Sequence, residues 1–297
     1  MEIPVARAKD PRARTYIIDH LRPGTTIHRR VEVHNDSPKR QHIEIYPAGA
    51  TIEKNTFTAL PDRTGNELSS WVSTEVASVD LPPRARERVK VTIRVPDTAS
   101  AGERYAAVLA EVAQPPTDGG NIGQIRRVGV RIYLNIGPGG EPPTDFRIGE
   151  MTVSSGPGRW PIVTAPVHNT GQRALDMTGH LSLSRESGTA EAGPFKITTG
   201  VTILPGQTGH VSAEVTEPMA PGRWKAHLVL TSGVVQRTAE GAITLPGPIE
   251  ASVPEPAGNG QLALSIAAGA ALAAVLAALL IHRYRRRTRP PRSNVTT

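Results

Sequence analysis

The chain has 297 residues, with 34 Lys and Arg against 27 Asp and Glu and no Cys, a length that fits two modest domains plus accessory segments. The missing Cys excludes disulfide scaffolds, thiolate zinc sites and Cys nucleophiles. Gly (28) and Pro (27) stay below collagen-like or wholly disordered levels, and a formal charge of +7 favours nucleic acid only if it is spread over the body.

The start, MEIPVARAKDPRARTYI, lacks the apolar run of a secretory signal, so the N-terminus reads as truncated, with an export signal expected upstream of a late-called start or excluded from this chain. A tail-anchored protein with a cytoplasmic body is the disfavoured alternative. Residues 1–137 are expected to form a first immunoglobulin-like domain. Thr26–His34 alternates, with Ile27, Val31 and Val33 on one face and Arg30, Glu32 and His34 on the other. Ile43 and Ile45 continue this after an NDSPK turn, and Val89–Val95 (VKVTIRV) keeps strict period two. Tyr105–Val112 and Val128–Ile136 complete the set, and Asn66–Val72 reads as a single helical turn. Gly137–Asp145, GPGGEPPTD, breaks helix and strand alike, which predicts a linker over 138–145.

Residues 146–248 are expected to form a second immunoglobulin-like domain. Its strand candidates are Phe146–Val153, Ile162–His168, Leu175–Leu183, His210–Val215, Trp224–Leu230 and Val234–Leu245. Short strands between Pro/Gly turns predict antiparallel sandwiches. The halves also repeat one another: Val33-His34-Asn35-Asp36-Ser37 matches Val167-His168-Asn169-Thr170-Gly171, and Leu81-Pro82-Pro83 matches Leu204-Pro205-Gly206. Gly102-Glu103-Arg104-Tyr105 matches Gly222-Arg223-Trp224. The wider spacing in the first half places an insertion around Ala50–Trp71.

After a juxtamembrane linker over 249–260, Leu262–Ile281 is apolar on every face, with Ser265 its one polar side chain. Twenty residues at ~1.5 Å span about 30 Å, the hydrocarbon thickness of a bilayer, so 261–282 is expected to be a single transmembrane helix. The 283–297 tail carries Arg283, Arg285, Arg286, Arg287, Arg289 and Arg292 and no acid. Such a flank marks the cytoplasmic side and puts the body outside the cell membrane. Six arginines therefore account for most of the charge. The rest has 28 basic against 27 acidic residues, which removes the main support for nucleic acid and points to shape and sheet-surface chemistry for binding.

No GxSxG, HExxH, P-loop or dinucleotide fingerprint occurs. His28, His34 and His42 share the outward parity of adjacent strands and His20 lies nearby. No carboxylate spacing completes a metal shell around them, so solvated surface histidines are the expectation. Glu44, Glu53, Asp62 and Glu67 contain the carboxylates a glycosidase pair would need, but scattered solvated acids describe them better. Among the tryptophans Trp71, Trp160 and Trp224, Trp224 leads an alternating strand and is expected in the core. Trp71, in the insertion, reads equally as a loop anchor and as a ligand contact. No cofactor, metal or catalytic residue is expected.

The runs YIIDHLRPGTTIHRRVEVHNDSPKRQHIEIYPAGATIEKNTF, NELSSWVS, VDLPPRARERVKVTIRVP and GERYAAVLAEV resemble the WxL-interacting protein family of Gram-positive cell surfaces. The likeness covers most of residues 12–136, with weaker support over 146–248. It implies two immunoglobulin-like domains, a membrane helix and a basic tail. It further implies a first domain that binds peptidoglycan and a second that binds partner surface proteins. No family residue transfers as a contact, and the Ala/Arg/Pro/Gly-rich composition departs from what that family implies. The expectation is a non-enzymatic, single-pass cell-envelope adaptor for peptidoglycan, a cell-surface protein, or both. The alternatives are a glycan-binding module without a protein partner and a wall-active hydrolase.

Overall fold

The computed structural model describes residues 9–114, 123–155, 160–185 and 190–246. The expected membrane helix and all six tail arginines lie outside these residues, and among the described residues no helix is long and apolar enough to cross a membrane. The all-β, immunoglobulin-like sandwich expectation holds.

The first sandwich packs two sheets face to face. One runs β1 (Ile17–Leu21), β9 (Gln124–Ile136), β8 (Gly102–Gln114), β3 (Gln41–Glu53) and β4 (Thr56–Ala59), with β6 (Ser78–Leu81) also on β3. The other runs β2 (Thr26–His34), β7 (Arg86–Arg94) and β5 (Val72–Thr74). Alternation drives the packing. Val31 and Val33 of β2 and Val89, Val91 and Ile93 of β7 are buried against Ile43, Ile45, Val108 and Ile132 of the facing sheet. At roughly 2 kcal/mol per fully buried Val or Ile side chain, this core is the main stabilising term of the domain. Residues 66–72 hold the expected turn as α1 (Glu67–Ser70), closed by a capping box in which Asn66 and Ser69 exchange side-chain and backbone bonds.

The second sandwich sets β10 (Phe146–Ile148), β11 (Thr152–Ser155), β12 (Pro161–Asn169) and β17 (Thr208–Glu214) against β15 (Glu191–Lys196), β14 (Thr178–Ser184), β18 (Gly222–Ser232) and β19 (Val235–Leu245). Trp224, Ala226, Leu228 and Leu230 alternate into its core, so Trp224 sits where its parity put it. Its indole N–H donates to the Ala220 carbonyl at 3.0 Å. The expected strand Leu175–Leu183 is broken at Met177. Leu175–Asp176 (β13) pairs with Thr202–Ile203 (β16), and β14 then joins the sheet of β15, β18 and β19. Buried Met177 marks the crossing between sheets.

The sequence repeat has a structural counterpart. The Asn169 amide donates to the carbonyls of Arg173 and Ile203 at 2.8 and 2.9 Å, and its oxygen accepts from the Gly171 N–H at 2.9 Å. Asn35 does the same in the first half, donating to Lys39, Leu81 and Pro82 and accepting from Ser37. Each Asn fastens its own turn to the Leu-Pro turn that precedes the returning strand, giving the carbonyls at both turns a side-chain donor.

Residues 9–246 fall within one compact unit, and the two sandwiches meet through a buried junction. Tyr16, Phe57, Tyr105 and Tyr133 form a ring cluster with centroid separations of 5.3–6.5 Å, packed with Ile18 and Ala174. Asp176 accepts from Tyr133 Oη at 2.8 Å and Thr202 Oγ1 at 2.9 Å, with Arg131 at 3.3 Å. Glu103 accepts from the Ala174 N–H at 2.6 Å and from Tyr105 Oη at 2.8 Å. Burial pushes both carboxyls above their ordinary range, against the pull of these donors. The segment 137–145 carries no strand and is itself held: the Gln172 N–H donates to the Pro143 carbonyl at 2.9 Å, and Arg173 pairs with Glu141.

Candidate functional site

Strand β9 has 13 residues, and β8 pairs with all of them, from Gln114↔Gln124 to Gly102↔Ile136. On its other side β1 runs parallel and covers only Ile132–Ile136. Residues 124–131 therefore present an edge with no strand beside it among the described residues. A strand alternates the direction of its backbone groups, so an eight-residue edge offers about four outward-facing N–H and C=O sets.

Beneath that edge the sandwich is open. Val128 and Val130 of β9, with Ala110 and Val112 of β8, face Val31 and Val33 of β2 across a groove of about 660 Å³. Val128 is 72% exposed, although its parity points it toward the same core as buried Ile132. Arg126 and Gln114 stand at the mouth. Apolar side chains over an unpaired backbone edge are the arrangement that takes up an extended peptide as a further strand, with alternate side chains filling the groove.

The opposite face of the same strands is a charged brace. Glu111 of β8 lies directly opposite Arg127 of β9 and Glu44 of β3. It accepts from Tyr46 Oη at 2.5 Å, from Arg127 Nε at 2.6 Å and from Arg63 at 3.1 Å, and Arg63 also pairs with Glu44. The Tyr46 and Arg127 bonds hold the Glu111 carboxyl down at about 2, while burial and Glu111 push the Tyr46 phenol up to about 12. Glu111 thus has no proton to donate at neutral pH. The cluster fixes the outer side of β9 and leaves its edge and inner side clear.

The sequence-derived candidates fall elsewhere. Trp71 ends α1, half-buried against the first core, with the Arg104 guanidinium 5.1 Å above its ring, and it does not line the groove. Trp160 is half-buried beside the start of β12. His28 meets Thr92 Oγ1 at 3.0 Å, His34 meets Glu32 at 2.7 Å, His42 meets Asp80 at 3.0 Å and His20 meets Asn135 at 2.9 Å. Among the described residues no group of three or more His, Asp or Glu could hold a metal ion. Glu67 pairs with Arg104 at 2.8 Å, Glu44 pairs with Arg63, Glu53 is exposed at the end of β3, and Asp62 is exposed on a turn. Glu111, Arg127 and Val128 carry the site, and local alternation does not single them out. The sequence carries no local signal for them: Tyr105–Val112 and Val128–Ile136 read no longer than Thr26–His34.

No protein-family model matches the chain, and no curated protein matches it. Among solved structures it is similar to the class 5 fimbriae chaperone CfaA, at 14% identity over 77% of this chain and 97% of that one, with a TM-score of 0.37. It is similar to the Pseudomonas aeruginosa CupB2 chaperone, at 11% identity over 77% and 97%, with a TM-score of 0.40. A third is the E. coli chaperone DraB, at 11% identity over 76% and 94%, with a TM-score of 0.39.

Proposed function

We propose that this chain is a non-enzymatic cell-envelope adaptor, anchored in the membrane by residues 261–282, that grips an extended segment of a partner surface protein along residues 124–131. The observation that carries this is the unpaired edge of β9 above an open apolar groove. A long edge with exposed Val128 and Ile125 is an aggregation liability in a free protein unless a partner covers it. Arg126 at the mouth suits an acidic residue on the incoming strand. The resemblance to WxL-interacting proteins supplies the partner class, a cell-surface protein, and the basic tail supplies the orientation. Peptidoglycan binding, which the same resemblance implies, takes second place because the indole of Trp71 is half-buried under Arg104.

The test places a photo-crosslinking amino acid at position 128 in living cells, with position 229 on the second sandwich as control. A discrete crosslink to an envelope protein from position 128 alone, lost when Arg126→Glu is added, supports the proposal. Sedimentation with purified peptidoglycan that is unchanged by Val128→Asp, together with no protein crosslink, would overturn it in favour of a glycan-binding module. Wall-polymer cleavage abolished by Glu44→Gln or Glu67→Gln would overturn the non-enzymatic part.

A further inference from the structure

A net charge near zero hides how charge is distributed over the body. Strands β2 and β7 pair in register from Thr26↔Arg94 to His34↔Arg86. Val31, Val33, Val89, Val91 and Ile93 are buried on the inner face, so period two fixes the outer face. There β2 presents Thr26, His28, Arg30, Glu32 and His34, while β7 presents Arg86, Arg88, Lys90, Thr92 and Arg94. Five Lys and Arg residues and two His thus share these positions with a single carboxylate.

That carboxylate is oversubscribed. Glu32 receives His34 at 2.7 Å, Arg88 at 3.4 Å and Arg86 at 3.9 Å. Lys90 and Arg94 make no side-chain hydrogen bond or ion pair among the described residues, and they add to Arg86 and Arg88, which share Glu32. Cations spaced along one strand face repel one another, so this face gains from an anion laid over it. Its cations follow a line: alternate residues on a strand recur about every 6.8 Å, and Arg86, Arg88, Lys90 and Arg94 all lie along β7.

We propose that the outer face of the β2–β7–β5 sheet binds a linear, phosphodiester-linked polyol polymer lying along β7. Arginine forks suit phosphate oxygens, and a row of cations suits a repeating anion better than a lone headgroup. Single-stranded nucleic acid is the less fitting occupant, because binding sites for it stack successive bases on aromatic side chains and the β2 and β7 positions of this face carry no Phe, Tyr or Trp. The β7 cations do not line the groove beneath the β9 edge, which this face meets only at Glu32 and His34, and the inference does not depend on that edge.

The experiment titrates the full chain, in nonionic detergent, with short synthetic poly(glycerol phosphate), at several salt concentrations. A neutral dextran and a single-stranded oligonucleotide of matched charge run in parallel. Four phosphate contacts predict that log K falls against log salt with a slope of about −3, taking roughly −0.7 per contact. Lys90→Glu with Arg94→Glu is expected to weaken binding at least tenfold, whereas Arg223→Glu, on the second sandwich, leaves it unchanged. Unchanged melting of the variant separates lost binding from lost fold, and the Gln versions replace it if the Glu versions melt early. No binding at low salt, binding indifferent to the β7 changes, or equally tight oligonucleotide binding would overturn the proposal.

Discussion

Replacing Asn169 by Ala removes a side chain that is fully buried and whose hydrogen-bonding groups are all used. Two donors to carbonyls and one acceptor from an N–H disappear together. At a net of about 1 kcal/mol per hydrogen bond, the expected loss is ~3 kcal/mol, because the orphaned backbone groups stay buried between the two turns. For a folded body of this size, that corresponds to a melting temperature lower by about 6–12 °C. The assay is chemical denaturation followed by tryptophan fluorescence, with Trp160 and Trp224 both reporting from the same sandwich. Asn169→Asp is the sharper variant. It keeps the acceptor for the Gly171 N–H but turns the donor toward two carbonyls into a further oxygen. It should therefore be less stable than the Ala variant at pH 7 and recover as acid protonates it. An Ala variant within about 1 kcal/mol of wild type, or an Asp variant flat in pH, would show that the amide donors are not what fastens the turns.

Two further outcomes follow from the carboxyls. Glu103 and Asp176 have raised folded-state pKa values, burial being the largest cause. Their effect is most favourable below the unfolded carboxylate range and is lost as pH rises through the folded values. Asp176→Asn should therefore flatten the decline of stability on going from mildly acidic to neutral pH, measured as denaturation midpoint against pH. Glu111 has the opposite sign: held at about 2, it stabilises above the ordinary carboxylate range, and this is lost as pH falls toward 2. Glu111→Gln should remove that part of the acid-induced loss, and a variant with an unchanged acid limb would contradict the brace around β9.

Much of the fold was legible in the chain because its strands obey period two: β2, β7 and β18 bury the residues that alternation assigned to them. The paired Asn turns were legible for a different reason, since the same corner is solved twice with the same residue. Strand β1 was hidden. Ile17 faces the first core, Ile18 the aromatic cluster at the junction, and Asp19 meets Arg29 at 2.6 Å, so three successive residues are buried and no alternation shows. Strand β15, EAGPFK, was masked by its Gly193-Pro194, and Met177 broke a continuous apolar pattern by changing sheets. The candidate site was the least legible part. A free edge depends on how far β1 extends along β9, a non-local fact that no window of sequence contains. Charge misled by averaging, because a sum over the body cannot reveal that one sheet face collects its cations.

The junction between the sandwiches has a mechanical consequence. Swinging one sandwich away from the other would uncover the packed rings and break Tyr133–Asp176 and Ala174–Glu103 at once, so opening the joint costs buried contacts and two hydrogen bonds together. A tug on anything held at β9 passes through Tyr133, on the same strand, directly into the second sandwich.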